Sequence, residues 1–230
     1  VTGVQTCALP ISAGVPLAIV GTHPPALAAG ARTRAARVQT AGLEGADLVP
    51  DAVTLTAEGY PRITVDGVTF VLGTPGLHQA GNAMCAWAVG RHLGIAPEAA
   101  GPALERLAIP GGRGEVQQHG ALTILNDSYN ANPQSFRAAI ALAHAMRAGR
   151  RLVFVAGTMR ELGADEGTLH AEIAAELRAL RPDVLAGVGA FERALARLGP
   201  APDGVDEVTA PDAAAAEPLV ASRLRGDELV

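Results

Sequence analysis

The 230-residue chain carries a net charge of -5 with no basic block and no interleaving of basic and aromatic residues, which argues against a nucleic acid partner. Apolar residues make up 49% of it and aromatics only 3%, so Ala, Val and Leu must fill the core, which favours α/β packing over an aromatic-rich β sandwich. All 18 basic residues are arginine, and chemistry that needs a P-loop lysine, a Schiff base or a carbamylated lysine is excluded within these residues.

The first eleven residues, VTGVQTCALPI, are apolar but lack the basic start of a signal segment and carry Pro10. They resemble the translation of a sequencing-library adapter, and residues 1–12 are read as non-native, which leaves Cys7 without a role. Residues 16–20 read as a short strand, followed by a polar turn, an alanine-rich stretch and a second short strand at 36–40. From residue 51 the pattern turns to β, with runs at 52–56, 62–65 and 68–72. The Asp66-Gly67 pair between the last two is a hairpin signal. An apolar helix runs on from Gly76-Leu77-His78-Gln79-Ala80-Gly81-Asn82 to about residue 93, and a second helix covers 97–107. Ile109-Pro110-Gly111-Gly112 is the clearest linker, so domains are expected at 13–110 and 111–230.

Beyond Gly120, strands at 122–126, 152–156, 184–188 and 205–209 alternate with helices at 133–146, 168–180, 191–198 and 212–224. This alternation predicts a largely parallel sheet with helices on both faces. Asp227-Glu228-Leu229-Val230 reads as a strand just beginning, so both ends read as cut. The Arg147-Ala148-Gly149-Arg150-Arg151 cluster reads as a solvated helix end, its cations complementing the helix dipole. The longest apolar stretches are short or broken by Gly and Pro, so no membrane span is expected. The two cysteines, Cys7 and Cys85, have no metal spacing and suggest a reducing, cytoplasmic compartment.

The densest functional signal is Asn126-Asp127-Ser128-Tyr129-Asn130-Ala131-Asn132-Pro133, between an apolar strand and a helix. Such a cluster presents polar groups at the carboxyl end of a strand, where open α/β sheets bind ligands. Asn132 and Pro133 also read as a helix cap and first helical residue, but a cap needs neither Asp127 nor Tyr129. Upstream, Gly111-Gly112-Arg113-Gly114 is a flexible turn that can bring a guanidinium to a phosphate or carboxylate.

Together these segments resemble the Mur ligase family. Gly112-Arg113-Gly114 and the 126–133 run, with Ser135 and Arg137-Ala138-Ala139, look like the start of its carboxy-terminal domain. Gly76-Leu77-His78-Gln79-Ala80-Gly81-Asn82-Ala83 resembles the segment that closes its central ATPase domain. Gly157-Thr158-Met159-Arg160-Glu161-Leu162-Gly163, with His170 beyond, resembles a third family segment. Gln79 stands where asparagine is usual and Thr158 where aspartate is usual. The resemblance covers residues 13–230.

It implies a Rossmann-like α/β carboxy-terminal domain with a mostly parallel sheet, preceded by an incomplete remnant of the central P-loop-type domain. It also implies a fragment of an ATP-dependent amide ligase of peptidoglycan synthesis, a monomer, with UDP-muramoyl-tripeptide and D-alanyl-D-alanine as substrates. ATP and Mg2+ are the implied cofactors, with the metal ligands outside these residues. Of the nucleotide contacts, Asn82 is expected at the adenine edge, Arg113 at the phosphates and Asp127 at the ribose hydroxyls. Tyr129, Asn130 and Asn132 are expected on the D-alanyl-D-alanine side, while Glu161 and His170 are expected to fix loop structure. The 129–133 run favours the dipeptide-adding branch over a sister amino-acid ligase or a folylpolyglutamate synthase-like enzyme. A non-catalytic nucleotide-binding or interaction domain is the remaining alternative.

Overall fold

The computed structural model describes residues 14–108 and 111–230. Residues 1–12, read as non-native, and Ile109-Pro110 of the linker lie outside the described residues. The chain divides into two compact units, with the break between Ala108 and Ile109.

In the first unit β1 (Ala18–Gly21) pairs in parallel with β2 (Val38–Ala41), and α1 (Pro25–Arg32) makes the crossover. Then β3 (Ala52–Leu55), β4 (Pro61–Val65) and β5 (Val68–Val71) form an antiparallel meander. Asp66 and Gly67 both take positive φ, 49° and 77°, the backbone a two-residue hairpin turn needs to match strand twist. Along β4, Pro61, Ile63 and Val65 are buried while Arg62 is exposed, so this strand has a core face and a solvent face.

The core face is closed by α2 (Leu77–His92), which packs on β1, β2 and β4, and by α3 (Pro97–Glu105), which packs on β5. Trp87 of α2 stacks on Phe70 with ring centroids 5.5 Å apart. Its indole N–H donates to the Asp66 carboxylate at 2.8 Å, and Arg91 reaches the same group at 3.2 Å. The turn is therefore tied to the helix that covers its sheet.

The second unit opens with an antiparallel hairpin, β6 (Glu115–His119) and β7 (Leu122–Asn126), turning at Gly120. Helices α4 (Pro133–Arg147), α5 (Glu166–Leu180), α6 (Ala190–Arg197) and α7 (Ala213–Ala221) alternate with β8 (Val153–Ala156), β9 (Val184–Val188) and β10 (Asp206–Ala210). The last three strands are parallel, in the order β10-β9-β8.

Residues 228–230 join this sheet to the hairpin. Leu229 bridges in parallel to both Thr123 and Leu152. Thr123 N–H donates to Glu228 O at 2.9 Å, Leu125 N–H to Val230 O at 2.7 Å, and Val153 N–H to Leu229 O at 2.8 Å. Strand β7 therefore runs parallel to β8, and the carboxyl ends of β7, β8, β9 and β10 face one way. The arrangement is an α/β fold with a mostly parallel sheet.

The arginine cluster at the end of α4 is not a solvated helix terminus. Arg150 donates to Thr123 Oγ1 at 2.9 Å, Ala121 O at 2.8 Å and Glu228 O at 2.7 Å, stitching the hairpin to the 228–230 segment. Arg147 donates to Arg181 O at 2.9 Å and forms an ion pair with Asp183 at 2.8 Å. These partners lie far away in sequence, so local helix-end logic misreads the cluster. Similarly, buried Arg178 of α5 grips both oxygens of Glu207 at 2.8 Å and reaches the carbonyls of Leu195 and Gly199.

Candidate functional site

The site is built on the strand ends. Asn126 closes β7, and its side-chain oxygen accepts from Ser128 Oγ at 2.7 Å and more weakly from Ser128 N–H at 3.3 Å. This asparagine turn lifts the chain out of the sheet and leaves Asp127, Ser128, Tyr129 and Asn130 exposed. Asn130 folds its side-chain oxygen back onto Ala131 N–H at 2.9 Å.

Asn132 then caps α4. Its Oδ1 accepts from Ser135 N–H at 2.9 Å while Ser135 Oγ accepts from Asn132 N–H at 3.0 Å, and Pro133 takes the first helical position. With Oδ1 engaged in the cap, a ligand contact from Asn132 has to come from its Nδ2.

The Gly112-Arg113 turn docks onto this loop. Tyr129 N–H donates to Gly112 O at 2.8 Å, and Gly112 holds φ at +77° with the loop backbone against it. The guanidinium carbon of Arg113 stands 3.9 Å above the centre of the Tyr129 ring. Two residues expected to serve different ligands are thus in contact.

The loop forms one wall of an open cleft of about 1070 Å³ along the carboxyl edge of the sheet, lined by Asn126, Asp127, Tyr129, Thr158, Arg160 and Asp212 among others. Asp212 is the cap of α7, accepting from Ala215 N–H at 2.9 Å. Arg160 and Asp212 were not singled out by sequence reasoning. Arg160 carries a signal only as a member of the 157–163 segment, and Asp212 only as the opening residue of the 212–224 helix, each a few residues beyond a strand whose carboxyl end meets this edge.

The 157–160 turn is anchored from below. Met159 is fully buried, and its N–H donates to His170 Nε2 at 2.9 Å. A nitrogen that accepts carries no proton, so the neutral ring is protonated at Nδ1, which donates to Glu166 O at 2.7 Å. His170 is itself buried and meets Phe191 edge-on at 4.9 Å. Thr158 Oγ1 accepts from Ala190 N–H at 2.9 Å, giving the first turn of α6 a hydroxyl partner.

His170→Ala leaves the buried Met159 N–H without an acceptor. It is expected to lower the stability of this unit by about 1–3 kcal/mol. The measurement is urea unfolding followed by circular dichroism. Trp87, the chain's one tryptophan, reports the first unit, so its fluorescence midpoint is expected not to move.

Asn82 belongs to the first unit, on the exposed side of α2, where its Nδ2 donates to Gln79 Oε1 at 3.0 Å. The glutamine that departs from the family pattern thus holds the side chain expected at the adenine edge. His78 lies one turn earlier on the same helix. Among the described residues no group of three or more His, Cys, Asp and Glu is placed to hold a metal ion, and no helix is long and apolar enough to cross a membrane.

A parallel sheet with a polar loop at its carboxyl edge, introduced by a glycine–arginine turn, is an arrangement with known relatives. Residues 112–225 match the Mur ligase, glutamate ligase domain, and this segment of the chain belongs to the Mur ligase family. Within that family its relatives include the UDP-N-acetylmuramoyl-tripeptide--D-alanyl-D-alanine ligase of Bacillus subtilis, 40% identical over 126 residues that cover 54% of this chain and 27% of that protein. The ligase of the same name from Mycobacterium leprae is 33% identical over 212 residues, covering 80% of this chain and 40% of its own length. Among solved structures, MurF from Thermotoga maritima in complex with ADP has the same fold, with a TM-score of 0.74 at 23% identity, over 93% of this chain and 48% of that one. The chain therefore spans less than half the length of each of these proteins.

Proposed function

We propose that this chain is part of an ATP-dependent amide ligase that adds D-alanyl-D-alanine to a UDP-muramoyl-tripeptide in the cytoplasm. Residues 111–230 would form its carboxy-terminal domain and residues 13–110 part of its central domain. The observation that carries the reading is the exposed 126–132 loop with Arg113 docked on it, inside the matched segment and at the edge where parallel α/β sheets bind ligands. The relatives' shared name supplies the substrates.

The reaction would begin with phosphorylation of the tripeptide carboxylate by ATP, giving an acyl phosphate. The dipeptide amine attacks the acyl carbon and phosphate leaves. Catalysis of this kind rests on positioning and on offsetting phosphate charge. In this reading Arg113 faces the phosphates, Asp127 accepts from the ribose hydroxyls and Asn82 pairs with the adenine edge, its amide offering both donor and acceptor. Tyr129, Asn130 and Asn132 serve the dipeptide side. The residues that cradle the triphosphate and hold Mg2+ would lie outside these 230, which contain neither a lysine nor a P-loop motif.

Two measurements test this. The 230-residue chain alone is expected to release no phosphate from ATP above the background of a buffer control, and measurable turnover would place the triphosphate site within it. The full-length ligase containing this chain is expected to release phosphate only when UDP-muramoyl-tripeptide and D-alanyl-D-alanine are both present. Release driven by a single amino acid would assign it to a sister ligase instead.

A further inference from the structure

Tyr129 is an unusual residue for this chain. Only 3% of the residues are aromatic and two are tyrosine. Among the described residues it is the one aromatic side chain in the set of exposed large hydrophobics, with 66% of its surface open to solvent. An aromatic ring left in water on a surface loop contributes nothing to a core. What it touches is Arg113, whose guanidinium lies over its face at 3.9 Å.

The contact is built by the backbone. Tyr129 N–H donates to Gly112 O at 2.8 Å, which sets the arginine turn and the ring side by side. Gly112 is buried and takes φ +77°, a conformation that L side chains rarely adopt. A Cβ there would also meet Tyr129 N at 3.3 Å. Two exposed loops are thereby held in one register.

The kind of contact matters. A carboxylate partner would fix a guanidinium by occupying its N–H donors. An aromatic face fixes the plane of the group and leaves the N–H edge free to meet an anion. Among the described residues no salt bridge engages Arg113. The ring therefore orients the cation without spending its donors.

We propose that Tyr129 is a positioning residue for Arg113, holding the guanidinium in the plane from which it meets the nucleotide phosphates. This rests on the phosphate role given to Arg113 above and assigns Tyr129 a task on the nucleotide side of the site as well as the dipeptide side. Occupancy of either side would then be felt at the stack, because both ligands bear on the same pair of side chains.

The test uses the full-length ligase containing this chain and ADP, with affinity measured by calorimetry and the Arg113 Nε–Hε resonance followed by NMR. In the wild type that resonance is expected to lie upfield, shifted by the ring. It is expected to stay upfield in Tyr129→Phe and to return to an ordinary arginine position in Tyr129→Leu. ADP affinity is expected to fall about two- to fivefold in Tyr129→Leu, the effect of losing an exposed cation–π contact. Tyr129→Phe is expected to restore it.

Arg113→Ala is expected to weaken ADP about tenfold or more, and Tyr129→Leu added to it is expected to weaken ADP no further. Adenosine, which has no phosphate, is expected to bind all four variants and the wild type alike. If Arg113→Ala weakens ADP but Tyr129→Leu does not, or if the two losses add in full, the positioning role is overturned while the phosphate role stands. If the wild type shows no saturable ADP binding, or Arg113→Ala leaves it unmoved, the phosphate role of Arg113 fails and the positioning role fails with it.

Discussion

Asp127→Ala, made in the full-length ligase containing this chain, is expected to raise the Michaelis constant for ATP about ten- to a hundredfold. The residue follows β7 directly and is exposed on the cleft wall, with the Asn126 turn lifting it out of the sheet. An ionised carboxylate can accept from two neighbouring hydroxyls at once, which is the geometry of a ribose diol. Losing a charged acceptor to a bound ligand costs about 1.5–3 kcal/mol, and about 1.4 kcal/mol is a factor of ten. Asp127→Asn keeps one acceptor oxygen and is expected to fall between the wild type and the alanine variant. The Michaelis constant for D-alanyl-D-alanine is expected to change far less. Steady-state kinetics with each substrate varied in turn, beside a melting curve, separates the outcomes. A lower melting temperature with an unchanged ATP dependence would make Asp127 a structural residue of the turn and end its ribose role.

The parts of this molecule that were legible in the sequence are those set by neighbours along the chain. Asp66-Gly67 announces a hairpin because its dihedral preferences and the flanking apolar alternation act within a few residues. Asn132-Pro133 announces the start of α4 for the same reason, and the capping box with Ser135 is observed. Strand β6 was not legible. Glu-Val-Gln-Gln-His has no period of two, because among the described residues the strand pairs only with β7 and its residues are exposed or partly exposed. Arg147, Arg150 and Arg151 were read as a solvated terminus because their partners at residues 121–123, 181–183 and 223–228 are brought in by the sheet. The stack of Arg113 on Tyr129 was hidden likewise. Each residue carried its own motif signal, and only the Gly112 turn, seen in three dimensions, puts the two together.

Glu228→Ala is expected to have the largest effect on stability, confined to the second unit. Glu228 is fully buried, yet it is the hub of the segment that joins hairpin to sheet. Its carboxylate accepts from the N–H groups of Arg225, Gly226 and Asp227, and from Arg151 at 2.9 Å. Burial pushes this carboxyl up, but the N–H groups of Arg225 and Gly226 and its own amide, together with the Arg151 guanidinium, outweigh that and hold it down at about 2. Removing the carboxylate leaves the mostly buried Arg151 charge and several N–H donors unpaired. Breaking a buried pair in this way costs about 3–5 kcal/mol, against a total stability of about 5–15 kcal/mol for a domain. The pH dependence follows from the direction of the shift. An unfolded glutamate titrates near pH ~4.3, so the folded state binds fewer protons than the unfolded state between there and about 2. The stabilisation is complete above pH ~4.3 and is lost as the pH falls through the folded value. Glu228→Gln keeps the shape and removes the charge. It is expected to be well below the wild type in urea resistance at pH 7 and to converge on it as the pH approaches 2. Amide exchange at Thr123 and Val153, the residues hydrogen-bonded to the 228–230 segment, reads the effect locally. A gap between wild type and Glu228→Gln that stays constant from pH 7 to pH 2 would show that the carboxylate's charge contributes nothing and that only its shape is used.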